Sequence, residues 1–179
     1  NENRRLVREV YAFRAAQPWK APSADVYLLM RAGMTLAVEE HNRMLREYLA
    51  AADKAEARKR DNCRVVVTGA FCEQPPLNLV KSIELSGCYV VDDDFMLVNR
   101  WIQGDVETTG DPLRNLSRAF LHHSGQTAAK YEPDMDVKGK YLLDIIRKRS
   151  ADGVIFSAAS FCDPALLDRI RSLESFHRE

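Results

Sequence analysis

The run from Arg64 to Asp94, RVVVTGAFCEQPPLNLVKSIELSGCYVVDDD, constrains this chain more than any other stretch, because it spells one complete strand, loop, helix, strand unit. Arg64 to Thr68 is a β-branched run leading straight into Gly69, too short for a helix and apolar enough for a strand buried on both faces. Such strands pair in parallel. Pro75 and Pro76 supply a fixed φ and have no N–H to satisfy, so a helix begins there and runs through Leu77, Val80, Ile83 and Glu84 until Gly87 ends it. Cys88 to Val91 is the second strand. Asp92, Asp93 and Asp94 lie where it stops, at the same sheet edge as Gly69 to Gln74. In open α/β sheets ligands bind at that carboxyl edge, so Cys72, Glu73 and the three aspartates are the first candidate functional residues.

A chain of 179 residues can bury about 70% of its unfolded surface, enough for one domain with an extension. The pattern divides it into a helical lead-in over 1–60 and an α/β domain over 61–179. Lysine plus arginine balance aspartate plus glutamate at 26 each, and no basic patch interleaved with aromatics occurs, which excludes nucleic acid as the expected partner. No apolar run approaches 18 residues and no signal peptide is recognisable, so no membrane span and a cytoplasmic protein are expected. The four cysteines, Cys63, Cys72, Cys88 and Cys162, contain no CxxC pair and read as reduced thiols.

In the lead-in, Asn3 is expected to cap a helix to about Ala16, with Leu6, Val10 and Phe13 on one face, before Pro18 and Pro22 break it around Trp19. From Ser23 the pattern is helical as far as Arg60, with Met30, Met34, Val38, Leu45 and Leu49 along one stripe. Unbroken, that helix would span roughly 50 Å, so a break near Gly33 is expected. A short helix from Phe95 to Trp101 carries Arg100 towards the acidic cluster, as a substrate clamp or as its counter-ion. Asp111 and Pro112 start a helix through His123 with Leu113, Leu116 and Phe120 inward. His122 and His123 are adjacent and point about 100° apart, a poor arrangement for one metal. Ser124 to Lys138 reads as a loop, and Gly139 to Ser150 as a helix with Leu142, Leu143, Ile145 and Ile146 buried and a basic C-terminus that suits the helix dipole.

Val154 to Phe156 is a third strand, and Asp163-Pro164 opens a last helix with Leu166, Leu167 and Ile170 inward. Cys162 therefore stands just before a helix N-terminus, where the dipole favours a thiolate; a buried, inert cysteine is the competing reading. With three strands the sheet looks incomplete, since doubly wound domains run on to further strands. Dinucleotide binding would need G-x-G-x-x-G after the first strand, and two prolines occupy that turn. A magnesium site on Asp92 to Asp94 has no accompanying P-loop, and a capped, solvated acidic turn explains those residues more simply. An iron–sulfur cluster needs three or four sulfurs, of which this sheet edge offers Cys72 and Cys162, while Cys63 and Cys88 begin their strands at the opposite edge.

Two long motifs, TGAFCEQPPLNLVKSIELSGCYVVDDDFMLVNRW and DGVIFSAASFCDPALLD, strongly resemble the cluster-bearing C-type subunits of benzoyl-CoA reductase and, more loosely, the 2-hydroxyacyl-CoA dehydratase D-components. The resemblance covers about Asn1 to Asp168, with Asp25 to Ala52 matching a linker region, and corresponds to a C-terminal part of such a protein. It implies two flavodoxin-like α/β domains with a four-iron four-sulfur cluster between them, of which this chain holds one incomplete open parallel sheet preceded by long helices. It further implies an aromatic acyl-CoA substrate, a homologous cluster-bearing subunit and an ATP-dependent activator as partners. The Phe-Cys-Asp-Pro motif of the family falls on Phe161 to Pro164, so the resemblance makes Cys162 a cluster ligand. Cys72, Glu73, Asp92 and Arg100 are expected near substrate or cluster without assigned roles. The isolated chain is expected to hold no native cluster and to be inactive. A dehydratase subunit, a non-catalytic assembly module using its open sheet edge, and a flavin-binding domain are the alternatives.

Overall fold

The computed structural model describes residues 1–69, 75–94, 102–123 and 135–177. The lead-in forms α1 (Glu2–Ala16), a 3-10 turn (Pro18–Lys20), α2 (Ser23–Ala32) and α3 (Val38–Lys54). β1 (Cys63–Thr68), α4 (Leu77–Leu85) and β2 (Cys88–Asp93) follow, then α5 (Pro112–His123), α6 (Met135–Arg149), β3 (Gly153–Phe156) and α7 (Asp163–His177). The three strands form one parallel sheet in the order β2-β1-β3. That is the beginning of the flavodoxin-like strand order, with β1 and β3 flanking the topological switch point.

Two apolar layers sandwich the sheet. Val65, Val67 and Val90 face Val80 and Ile83 of α4, together with Leu6, Val10, Met30 and Leu45 from the three lead-in helices. Val66 and Val91 face Leu142, Ile145 and Ile146 of α6. Arg64 ties the amino edge of the sheet to both layers, because its guanidinium donates to the carbonyl oxygens of Ala15, Arg149 and Ser150 at 2.6–2.8 Å. A cation there also suits the C-terminal ends of α1 and α6. No helix among the described residues is long and apolar enough to cross a membrane.

Several expectations are corrected. Asn1, not Asn3, precedes α1, and the Asn3 amide instead donates to His41 Nδ1 and Asn42 Oδ1, both at 2.8 Å. The helix expected to reach Arg60 ends at Lys54, because the chain must turn back into β1; Lys59 lies 5.1 Å over the Trp19 ring and the Arg60 N–H donates to the Tyr89 hydroxyl. The break at Gly33 is present, but Met34 and Val38 around it are exposed. α6 starts at Met135, inside the expected loop, and runs through Gly139; that glycine is buried, so packing outweighs its poor helix propensity. Leu113 (75% exposed), Leu116 and Phe120 of α5 are not inward, nor are Leu166, Leu167 and Ile170 of α7. Both helices carry an apolar stripe, but a stripe does not specify a cover, and no strand among the described residues lies beyond β3.

His41 joins α1, α2 and α3. Its Nε2 meets the Leu29 carbonyl at 3.1 Å while Nδ1 faces the Asn3 amide donor, and its ring lies against Gly33, leaving no room there for a β-carbon. These partners suit the neutral tautomer protonated on Nε2. Burial pushes the His41 pKa down, against the Leu29 carbonyl, which raises it. A depressed histidine contributes stability that is complete above its unfolded value of about 6.5 and is lost as pH falls through the lower folded value. The melting temperature of the wild type should therefore fall more than that of His41→Gln between about pH 7.5 and pH 5; equal falls would show that His41 does not carry the dependence.

Candidate functional site

The carboxyl edge of the sheet is held together by the residues that follow each strand. The Asp94 N–H donates to the Val67 carbonyl at 3.2 Å, and its carboxylate accepts from the Thr68 hydroxyl (2.7 Å) and the Gly69 N–H (3.1 Å). The Ser157 N–H donates to the Thr68 carbonyl at 2.7 Å, which joins the loop after β3 to the loop after β1. Gly69 has a φ of +107°, and a β-carbon there would lie in van der Waals contact with the Ser157 backbone at 3.4 Å. The positive φ is what calls for glycine at this turn. The two loops that bracket the switch point thus meet at Gly69 and Ser157.

The three aspartates do not act as one cluster. A register shift between Val65 and Val66 sets Asp92 opposite Val66 and Asp93 opposite Val67, residues that belong to different core layers. Asp92 accepts from Arg149 Nε at 2.6 Å. Asp93 lies 2.8 Å from Arg14 Nη2 and accepts from the Tyr11 hydroxyl at 2.9 Å. Burial raises the Asp92 pKa, against Arg149 and Arg14, which lower it. Burial, reinforced by Asp93, likewise holds the Tyr11 phenol well above its usual range. The solvated acidic turn expected here is replaced by two buried ion pairs.

A cleft of about 320 Å³ opens beside these pairs, between α1 and α6, with Arg4, Arg8, Tyr141 and Lys148 in its walls and Asp92 and Asp93 at its base. Its size is at the low end of small-molecule sites, ~300–1,000 Å³. Gln103 donates to the Tyr141 hydroxyl at 2.6 Å, and burial pushes the Tyr141 phenol up to about 12.

Cys162 lies in the loop after β3, immediately before α7, and its side chain is buried at 5% exposure. The Phe161 before it has a φ of +63° and is almost wholly exposed. The Cys162 carbonyl accepts the first helical hydrogen bond, from the Leu166 N–H at 3.1 Å. Cys72, Glu73 and Arg100 lie outside the described residues, as does the short helix expected from Phe95 to Trp101. Among the described residues, Arg14 of α1 pairs with Asp93 and Arg149 of α6 with Asp92. Sequence reasoning missed Tyr11, Arg14, Tyr141 and Arg149. Arg14 left one signal: it follows Leu6, Val7, Val10 and Tyr11 at helical spacing, so an arginine stands on a buried face and requires a carboxylate.

The family model for 2-hydroxyglutaryl-CoA dehydratase, D-component, matches residues 1–177. The chain belongs to this family. The match runs past Asp168, where the resemblance was expected to end. Among curated relatives of the D-component chain, the C subunit of benzoyl-CoA reductase from Thauera aromatica is 67% identical over 169 residues, 94% of this chain and 44% of the relative. Lactoyl-CoA dehydratase subunit beta of Anaerotignum propionicum is 27% identical over 165 residues, covering 92% of this chain and 43% of the relative. (R)-phenyllactyl-CoA dehydratase beta subunit of Clostridium sporogenes is 23% identical over 168 residues, covering 94% and 44%. This D-component chain thus spans less than half the length of the curated relatives it matches.

An iron–sulfur cluster is held by three or four thiolates. Among the described residues Cys162 is the one cysteine at the carboxyl edge, Cys63 and Cys88 begin their strands at the other edge, and no group of three or more metal-ligating side chains occurs. The described residues of this D-component chain therefore do not fit a whole cluster.

Proposed function

We propose that this chain is the part of an ATP-dependent benzoyl-CoA reductase that supplies one side of an iron–sulfur site and needs other polypeptide to complete it. The 67% identity to the benzoyl-CoA reductase relative carries this reading, and it favours reductive dearomatisation of an aromatic acyl-CoA over dehydration, whose representatives are 23% and 27% identical. Cys162 is the residue assigned as a thiolate ligand to a four-iron four-sulfur cluster. Its burial in the loop beside the switch point supports that role, since a cluster thiolate is shielded by the fold that holds it. Asp92 is assigned to the vicinity of substrate or cluster through its place at the base of the cleft, and Cys72, Glu73 and Arg100 through the motifs that contain them. A homologous cluster-bearing subunit and an ATP-hydrolysing activator are the partners that this reading implies.

Anaerobic reconstitution of the wild type and Cys162→Ala with iron, sulfide and excess thiol tests the ligand. With the rest of the subunit supplied, the wild type should retain iron and sulfide that the variant loses; equal iron in both overturns the assignment, whereas the isolated chain should hold no native cluster with either residue at position 162. Benzoyl-CoA reduction by the chain with activator alone would refute its reading as one part of a site.

A further inference from the structure

Cys63 and Cys88 are the first residues of β1 and β2 and are directly opposed in the parallel ladder. The Cys63 N–H donates to the Gly87 carbonyl at 3.1 Å, which holds the two strand ends together. Paired strands lie about 4.8 Å apart, inside the ~4.4–6.8 Å separation of α-carbons that a disulfide spans. Opposed residues of a ladder project to one face, and Cys88 stands near enough to Cys63 to contribute to raising its pKa. Cys63 is exposed and Cys88 partly buried, so a reagent has access to one sulfur and the second stands behind it. Both lie at the amino edge of the sheet, away from Cys162, and the function proposed above leaves them unused.

We propose that Cys63 and Cys88 form a dithiol–disulfide couple that staples β1 to β2 when a low-molecular-weight disulfide is available as oxidant. The Cys63 thiolate attacks one sulfur of the oxidant, forming a mixed disulfide and releasing one small thiolate. The Cys88 thiolate then attacks the Cys63 sulfur, closing the protein disulfide and releasing the second small thiolate. The two protein thiols give up two protons and two electrons; one S–S bond forms in the protein and one breaks in the oxidant. Burial, Cys88 and Asp152 raise the Cys63 pKa, which lowers the thiolate fraction and slows its attack on the oxidant near neutrality. The bridge closes the segment from residue 63 to residue 88, which carries α4 and the turn at Gly69. It therefore restrains the frame of the carboxyl edge from the opposite end of the sheet.

The purified chain, treated with oxidised glutathione and measured by intact mass and peptide mapping, tests this. Expected is a loss of about 2 Da with a cross-linked peptide joining Cys63 to Cys88, reversed by dithiothreitol, and a higher melting temperature than the reduced chain. Cys88→Ser, verified as folded by circular dichroism, should stop at a glutathione adduct on Cys63. A stable adduct on Cys63 in the wild type, a bridge to any other cysteine, or no reaction at all overturns the proposal.

Discussion

Replacing Arg14 with methionine should lower the folding free energy by about 3–5 kcal/mol, the usual cost of breaking a buried ion pair by removing one partner. Arg14 is 1% exposed, its Nη2 lies 2.8 Å from Asp93 Oδ2, and its guanidinium sits 4.5 Å over the Tyr11 ring. Methionine fills much of the space but leaves the Asp93 carboxylate buried with its Tyr11 hydrogen bond and without the guanidinium. Burial acts to lower the arginine pKa, yet Asp93 and Tyr11 outweigh it and hold the guanidinium charged. Urea denaturation of the single variant measures the loss. The pair Arg14→Met with Asp93→Asn should recover much of it, because both charges are then absent. The exposed pair Arg43–Glu47, also at 2.8 Å, is the comparison: Arg43→Ala should cost under about 1 kcal/mol. A loss of that small size at Arg14 would mean that water reaches Asp93 in solution.

Leu45→Ala should cost about 2–5 kcal/mol while leaving a single unfolding transition. Leu45 belongs to α3, in the lead-in, yet it is fully buried in the layer that contains Val65, Val67 and Val90 of the sheet. Truncation opens a cavity where helix and sheet residues share one core. The same denaturation curve tests the division of the chain into 1–60 and 61–179. If the lead-in unfolds as an independent unit, the substitution moves one of two phases and leaves the other in place. If helices and sheet unfold together, the whole curve shifts.

Most of the secondary structure was legible because it is written locally. β-branched runs bounded by Gly69 and Gly87, the proline pair before α4 and the Asp111 cap are interactions among near neighbours, and they locate β1, α4, β2 and α5 closely. Asp111 does cap α5, accepting from the Leu113 N–H at 2.9 Å. The family was legible for a related reason, since two long motifs are runs of consecutive residues. Where the α3 helix stops was not, because the stop is imposed by the need to enter β1.

What the sequence by itself determined, then, is the parallel α/β plan, the place of Asp92 to Asp94 at the carboxyl edge and the place of Cys162 before α7. Only the tertiary structure decided what the acidic residues there do. Tyr11 reaches Asp93 across 82 positions and Arg149 reaches Asp92 across 57, and a one-residue register shift sorts the two carboxylates between them. It also decided which apolar stripes are covered, leaving those of α5 and α7 exposed. Periodicity reports the face a helix can bury, but burial itself needs a second surface, and that surface is set by packing between residues far apart in the chain.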